Sequence, residues 1–357
     1  MKALVIQQKM LGDVLVSSII ARHIKEFYKD VTIHFLVNEG FEDVIKNNPY
    51  IDEILLFSSQ DRKKIKGFYS FLKKIHRNQY DVVIDAYGKI ESMLITASSR
   101  ANIRVSYQKW YSKLVYSHPI DRSKQLPYGL GLALDHRLLL VEPVVSEIKK
   151  PRARPRIYIS EAEEAHMTRF LKKNGIRESE KMLMIGVLGS EPAKTYPLEY
   201  MAKVLDSIVS NRPDLILLFN FIPSQKVEVE KLISFCQEQT VSKINENLYT
   251  EDLRVFLALL SKCEGLVSNE GGAVNMAKAV QIPTFSIHSP WISKQGWHTF
   301  YEDTKHEAVH LTDFAPELFQ KTEKKEWKKK AQDLYSCFKP EYFLDSLKNF
   351  LHREIAE

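Results

Sequence analysis

Three glycine-bearing segments of this 357-residue chain each follow an apolar run and carry reactive side chains where a strand would hand over to a helix. In the first, Lys9-Met10-Leu11-Gly12-Asp13-Val14, Gly12 permits a tight turn and Asp13 falls in the first turn of the helix that follows. Two readings stand for this acid: a carboxylate meeting the positive end of the helix dipole, and a general base aimed at a substrate hydroxyl. The second segment, Gly189-Ser190-Glu191-Pro192-Ala193-Lys194-Thr195-Tyr196-Pro197, ends on a proline suited to a helix's opening turn. Its Lys194 is either an ordinary surface lysine or a cation that grips a phosphate. The third runs Ser268-Asn269-Glu270-Gly271-Gly272-Ala273-Val274-Asn275. Two residues without Cβ let backbone N–H groups approach an anion, and the helix that follows adds its positive end; a plain strand-to-helix turn is the alternative.

Other constellations are set against bland readings. The stretch from Gln60 to Gly67, continuing through Lys73-Lys74-Ile75-His76-Arg77, is the most basic in the chain, and on a helix it reads first as a solvated face. His306-Glu307-Ala308-Val309-His310 matches H-E-x-x-H, which on a helix sets two histidines on one zinc with the glutamate as base. Its flanks leave little room for a helix, Ala308, Val309 and Leu311 alternate as in a strand, and no third ligand is placed, so neither a metal nor a protease is expected. G-x-G-x-x-G is missing from the first loop, and with it the usual signature of a dinucleotide cofactor; no cofactor is expected. Trp110 and Tyr111 beside Lys109 and Lys113 are too isolated for a nucleic-acid surface.

The elements that must position these residues follow from the apolar pattern. Leu4–Ile6, Thr32–Val37, Ile54–Phe57 and Asp81–Asp85 read as strands separated by helical spacing such as Val14–Tyr28, and the alternation restarts with Met182–Val187, Leu215–Phe219, Gly265–Ser268 and Thr284–Ile287. That pattern predicts α/β architecture, with two doubly wound, Rossmann-like halves. Pro151, Pro155 and the basic residues from Lys149 to Arg156 mark a linker. The expected division is 1–150, 151–320 and a charged helical tail, 321–357, broken at Pro340. Three scattered cysteines without metal spacing fit reduced thiols, and the opening Met1–Gln8 is too brief an apolar run for a signal peptide, so a cytoplasmic location is expected. The formal charge of +6 suits acidic substrates, anionic membranes or nucleic acid alike.

Together the three loops resemble glycosyltransferase family 9, the bacterial heptosyltransferases of the lipopolysaccharide inner core. The resemblance rests on Gly12-Asp13-Val14-Leu15, Lys194-Thr195-Tyr196-Pro197, and Val267-Ser268-Asn269-Glu270-Gly271-Gly272 running on to Ala277-Lys278-Ala279-Val280-Gln281-Ile282-Pro283-Thr284, and it spans most of the chain. It implies a GT-B fold, two Rossmann-like domains facing a central cleft, with the acceptor in the first, the nucleotide sugar in the second, and the C-terminal helices packing back toward the first. It further implies an inverting, metal-independent transfer with Asp13 as base. Donor phosphates would be bound by Ser190, Lys194, Thr195, Glu270, Gly271, Gly272 and Asn275. Gly12, Lys63, Lys64, Tyr87 and Lys89 are the acceptor-side candidates. The implied donor is ADP-heptose or another nucleoside diphosphate sugar; the implied acceptor is a glycolipid or oligosaccharide, reached by peripheral contact with the cytoplasmic face of the inner membrane, with no nucleic-acid partner. The family usually has Asp-Thr-Gly or Asp-Ser-Gly at 270–272 and His at 275, so Gly271 lacks a hydroxyl and Asn275 cannot carry charge. A non-catalytic sugar-nucleotide binder is the competing expectation.

Overall fold

The computed structural model describes residues 1–123, 128–148, 154–246, 248, 250, 252–292, 304–320 and 326–355. These form two compact units, Met1–Tyr158 and Ile159–Glu357. Part of the expected linker, 149–153, and the start of the tail, 321–325, lie outside the described residues.

In the first unit β1 (Lys2–Ile6), β2 (Thr32–Asn38), β3 (Glu53–Phe57), β4 (Val82–Asp85), β5 (Ile103–Tyr107) and β6 (His118–Ile120) form one parallel sheet in the order β3-β2-β1-β4-β5-β6. Ala3, Leu4, Val5 and Ile6 are all fully buried, as successive residues of a central parallel strand must be when helices cover both faces. The helices are α1 (Leu11–Phe27), α2 (Ser59–Lys63), α3 (Ile65–Arg77), α4 (Ile90–Ser99) and α5 (Leu132–Leu139). α1 starts earlier than its apolar spacing suggests and takes Gly12 and Asp13 into its first turn. Gly12 is therefore a helical residue with open space around its Cα, which corrects the expectation of a tight turn there. β5 and β6 escape the sequence pattern because Arg104 and Ser106 interrupt one apolar run and the other is only three residues long.

The second unit repeats the plan. β7 (Lys181–Gly186), β8 (Leu215–Phe219), β9 (Ile244–Asn245), β10 (Gly265–Asn269), β11 (Thr284–Ile287) and β12 (His306–Val309) lie parallel in the order β12-β11-β10-β7-β8-β9. Renumbered from β7, this is the strand order of the first sheet. Each sheet reverses direction of winding between two neighbours, β1 and β4 in one, β7 and β10 in the other, and that reversal opens a crevice at the carboxyl ends where ligands bind. Its helices are α6 (Glu161–Lys173), α7 (Leu198–Asn211), α8 (Lys226–Ser234), α9 (Glu238–Val241), α10 (Leu253–Leu260) and α11 (Gly272–Ala279).

In the tail, helices Ala331–Cys337 and Leu344–Glu354 flank a 3₁₀ turn at Pro340–Tyr342, so Pro340 does divide them. Tyr335, Phe338, Phe343 and Phe350 are buried with Tyr196 and Phe285 in the core of the second unit, and the Tyr196 hydroxyl donates to the Phe338 carbonyl at 2.6 Å. The H-E-x-x-H segment is strand β12 and its exit: His306 Nδ1 meets the Thr284 hydroxyl at 3.2 Å, and His310 accepts from the Thr312 backbone at 3.1 Å. Four residues of extended strand span about 13 Å against about 6 Å along a helix, so the two histidines lie too far apart to share one ion, and the sequence match is a coincidence of composition.

α6 is tied to α10 by a bidentate pair: the buried Arg254 guanidinium donates to both Glu163 oxygens at 2.7 and 2.8 Å, while Glu163 also completes the Ser160 capping box. Glu163→Gln is expected to lower the unfolding free energy near neutral pH by about 1–3 kcal/mol, because it removes the charge from a bidentate contact to a buried guanidinium. The hydrogen bonds from Arg254, ahead of other causes, hold the Glu163 carboxyl at about 2 against an ordinary 4.5. Its stabilisation is therefore complete above pH 4.5 and fades as the pH falls towards 2. Denaturant titrations of both chains across that window should show the gap closing; a constant gap contradicts the assignment.

Candidate functional site

In the second unit the two loops at the β7/β10 reversal are sewn together by one side chain. Asn269, buried at the end of β10, accepts from the Tyr196 backbone N–H at 2.7 Å and donates to the Gly186 and Val187 carbonyls, both at 3.0 Å. The loop after β7 is braced from within as well. The Thr195 hydroxyl donates to the Glu191 carbonyl and accepts from the Gly189 N–H, both at 3.1 Å, and Gly189 passes so close to the Lys194 backbone that a Cβ there would clash with it. Ser289 Oγ and Trp291 Nε1 both donate to the Ala193 carbonyl, at 2.7 and 3.0 Å.

The result places the Lys194 ammonium 3.4 Å from a carboxylate oxygen of Glu270, which is only 8% exposed. Burial pushes the Glu270 carboxyl up, and the neighbouring cation partly opposes that shift. Lys194 also lies 5.8 Å from the Trp291 ring centroid, on which Lys328 converges at 4.8 Å. Immediately after Glu270 the chain enters α11 through Gly271, at φ +157°, a region that costs other residues strain. Among the described residues no side chain caps α11, which leaves the N–H groups of its first turn, at Gly272 and after, for an anion. A cation and a helix start thus lie close together, an arrangement able to hold an anion.

The remaining donor-side candidates sort by environment. Ser190 is exposed and lines a cavity of about 360 Å³ with Glu191, Gln225 and Glu228. Thr195 also borders that cavity, but its hydroxyl is engaged inside its own loop. Asn275 is half-buried on α11, one turn in from Gly271.

In the first unit the β1/β4 reversal holds Asp13 and the loop Tyr87-Gly88-Lys89. One Asp13 oxygen accepts from Arg137 Nη2 on α5 at 2.6 Å, and Arg137 is itself fixed by the Ser17 hydroxyl at 3.2 Å. The acid is half exposed while the arginine side chain is buried. Arg137 thus holds the carboxylate in one orientation through one of its two oxygens. Next to it, His136 Nδ1 meets Arg122 at 3.1 Å, its Nε2 has no hydrogen-bond partner among the described residues, and burial together with the two arginines holds its pKa low. The β4 loop is held by a wholly buried Asp85, which accepts from Tyr87 N–H, Gly88 N–H and Tyr116 OH at 3.1, 2.8 and 2.6 Å. Burial pushes the Asp85 carboxyl up despite those bonds. Lys89 is exposed at the start of α4, Tyr87 is half-buried, and Lys64 is exposed at the joint between α2 and α3. The side chain of Lys63 lies outside the described residues.

Sequence reasoning did not find Arg137, His136, Arg122, Asn269 or Trp291 as site residues. The first three lie more than a hundred residues from Asp13, and the packing of α5 on α1 brings Arg137 to it.

Residues 68–300 match the family model described as glycosyltransferase family 9 (heptosyltransferase). Lipopolysaccharide heptosyltransferase 1 of Campylobacter coli is 23% identical over 290 residues, 80% of this chain and 83% of that protein. Among solved structures, a glycosyl transferase family 9 protein from Veillonella parvula superposes with a TM-score of 0.77 at 15% identity, covering 98% of this chain and 97% of that one. ADP-heptose LPS heptosyltransferase II of E. coli does so with a TM-score of 0.72 at 16% identity over the full length of both. The shared fold is the two-domain, parallel-sheet GT-B architecture.

Asn269→Ala strands a backbone N–H and two carbonyls in a buried place. The loss in unfolding free energy is expected to be about 2–4 kcal/mol by chemical denaturation. A loss indistinguishable from that of an exposed Asn→Ala change would contradict the role given to this side chain.

Proposed function

This chain belongs to glycosyltransferase family 9, and from that premise we propose that it transfers heptose from ADP-heptose to a sugar of the lipopolysaccharide core, with inversion at the anomeric carbon. The observation that carries the reading is Lys194, held at Glu270 beside the uncapped start of α11. A diphosphate docked there takes hydrogen bonds from the first turn of α11 and the charge of Lys194, which Glu270 holds in readiness before the donor arrives. The relative from Campylobacter coli and the E. coli structure, by their names, point to heptose, ADP and a lipopolysaccharide acceptor.

In the transfer, the acceptor hydroxyl oxygen attacks the anomeric carbon as the bond to the diphosphate oxygen breaks. The leaving group takes the bonding electrons, and the hydroxyl proton passes to the free oxygen of Asp13. Lys194 and the α11 N–H groups stabilise charge that grows on the departing diphosphate, so they act more strongly in the transition state than on the bound donor. Arg137 holds Asp13 in one orientation throughout. Lys64, Tyr87 and Lys89 are assigned to the acceptor, whose phosphates or carboxylates suit lysines, and a lipid-linked acceptor requires peripheral contact with the cytoplasmic face of the inner membrane. No described helix is long and apolar enough to cross a membrane.

Asp13→Asn should lower kcat about 10³-fold while leaving stabilisation by ADP-heptose in thermal melts nearly unchanged, since only the proton acceptor is lost. Full turnover in that variant would remove Asp13 from catalysis; a wild-type chain that binds donor and never turns over would favour a non-catalytic binder. Lys194→Ala should abolish most of the ADP-heptose melting shift and lower kcat/KM about 10²-fold, measured as ADP release. A shift equal to that of wild type would separate Lys194 from the donor.

A further inference from the structure

The carboxyl edge of the first sheet carries a group of large apolar side chains that the fold leaves in solvent. Trp110 and Leu114, in the loop after β5, are each 93% exposed, Ile65 at the α2–α3 joint is 91% exposed, and Ile90 at the start of α4 and Met10 before α1 are 64% and 63% exposed. Single exposed apolar residues are ordinary, but five on the loops of one sheet edge are not. They are neighbours in the fold. The Lys109 ammonium bonds the Gly88 carbonyl, joining the β5 loop to the β4 loop that leads into Ile90. Arg62, 3.0 Å from Glu91, joins the α2–α3 joint to the start of α4.

Each of these side chains has a lysine beside it in sequence: Lys9-Met10, Lys64-Ile65-Lys66, Lys89-Ile90, Lys109-Trp110 and Lys113-Leu114. From Ser92 to Ile120 the chain contains no Asp or Glu but carries Arg100, Arg104, Lys109 and Lys113. The acids on this edge are engaged: Asp13 by Arg137, Asp61 by the Ser58 cap, Glu91 by Arg62 and Gln8. Glu39, Glu42 and Asp43 follow β2, on the far side of β1 from the β4 and β5 loops. A protein partner would need an apolar hollow ringed with acids, whereas apolar tips alternating with lysines, tryptophan among them, match the boundary between acyl chains and anionic headgroups.

We propose that this edge docks on an anionic lipid bilayer, with Trp110 and Leu114 entering the headgroup–acyl boundary and the adjoining lysines pairing with lipid phosphates. It deepens the glycolipid-acceptor reading by naming the surface that meets the membrane, and it sets the loop of Tyr87 and Lys89 beside the bilayer. Docking itself requires no acceptor, so it is tested without one. The full-length chain is floated with vesicles of phosphatidylethanolamine and phosphatidylglycerol, and with vesicles of phosphatidylcholine alone. The expected result is partition onto the anionic vesicles only, weakened by raised salt and reduced about tenfold in Trp110→Ser/Leu114→Ser, as loss of the inserted apolar area requires. Ile65→Ser/Ile90→Ser should also weaken it. Unaltered ADP-heptose melting shifts in both double variants establish that they fold. No partition of the wild-type chain, or equal partition of wild type and both variants, overturns the proposal. So does concentration-dependent self-association that Trp110→Ser/Leu114→Ser abolishes while vesicles bind nothing, since the face would then be a contact between copies of the chain. Vesicle binding without any ADP-heptose shift leaves this inference standing and removes the donor reading; the reverse result does the opposite.

Discussion

The second unit depends on the placement of one amide. Asn269 satisfies the last carbonyls of β7 and the N–H that opens α7, so the loop carrying Lys194 and the strand end carrying Glu270 cannot move apart without stranding buried polar groups. That constraint makes a long, irregular loop behave as part of the sheet. It also explains why a lysine and a glutamate separated by 76 positions meet reproducibly at the start of α11. On the proposed reading, a cation held at a buried carboxylate stays near its working position before substrate arrives.

The two units share one strand order, and each carries its candidate site residues at the point where the winding reverses. In the first unit the reversal between β1 and β4 presents Asp13 and the Tyr87–Lys89 loop; in the second the reversal between β7 and β10 presents Lys194 and the Gly271–Gly272 turn. The supports differ in kind. Asp13 is held by a buried arginine arriving from a distant helix, whereas the β4 loop is held by the buried carboxyl of Asp85 at its own root. Arg137 and Asp85 are positioning residues on the proposed reading, because each fixes the geometry of a group assigned to substrate there.

The architecture was legible in the sequence because a doubly wound sheet writes itself as buried apolar runs followed by glycine-marked loops. Leu4–Ile6 and Met182–Val187 could hardly be anything but central strands. Short edge strands such as β6 and β9 carry too few residues to show a period, and β5 is broken by Arg104. Of the candidate site, Asp13, Lys194 and Glu270–Gly272 could be nominated by position alone, since each stands on a strand-to-helix loop. Arg137 and Asn269 were not, since their importance lies in which partners they reach, and reach is a property of packing between helices and loops far apart in sequence. Gly12 misled for a local reason: glycine in a turn and glycine in the first turn of a helix look alike until the helix boundary is known. The His306–His310 segment shows the same limit from the other side, a motif of the right letters on a strand, whose extended rise separates what a helix would bring together.

The account as a whole stands on transfer of a sugar with inversion. The direct measurement is incubation of the purified chain with ADP-heptose labelled at the anomeric carbon and a lipopolysaccharide core acceptor lacking the added heptose, followed by NMR of the labelled position. The account predicts that the label enters a new glycosidic linkage of inverted configuration, with ADP released in equal amount. Label recovered in a linkage of retained configuration, as free heptose alone, or unchanged in the donor would contradict it.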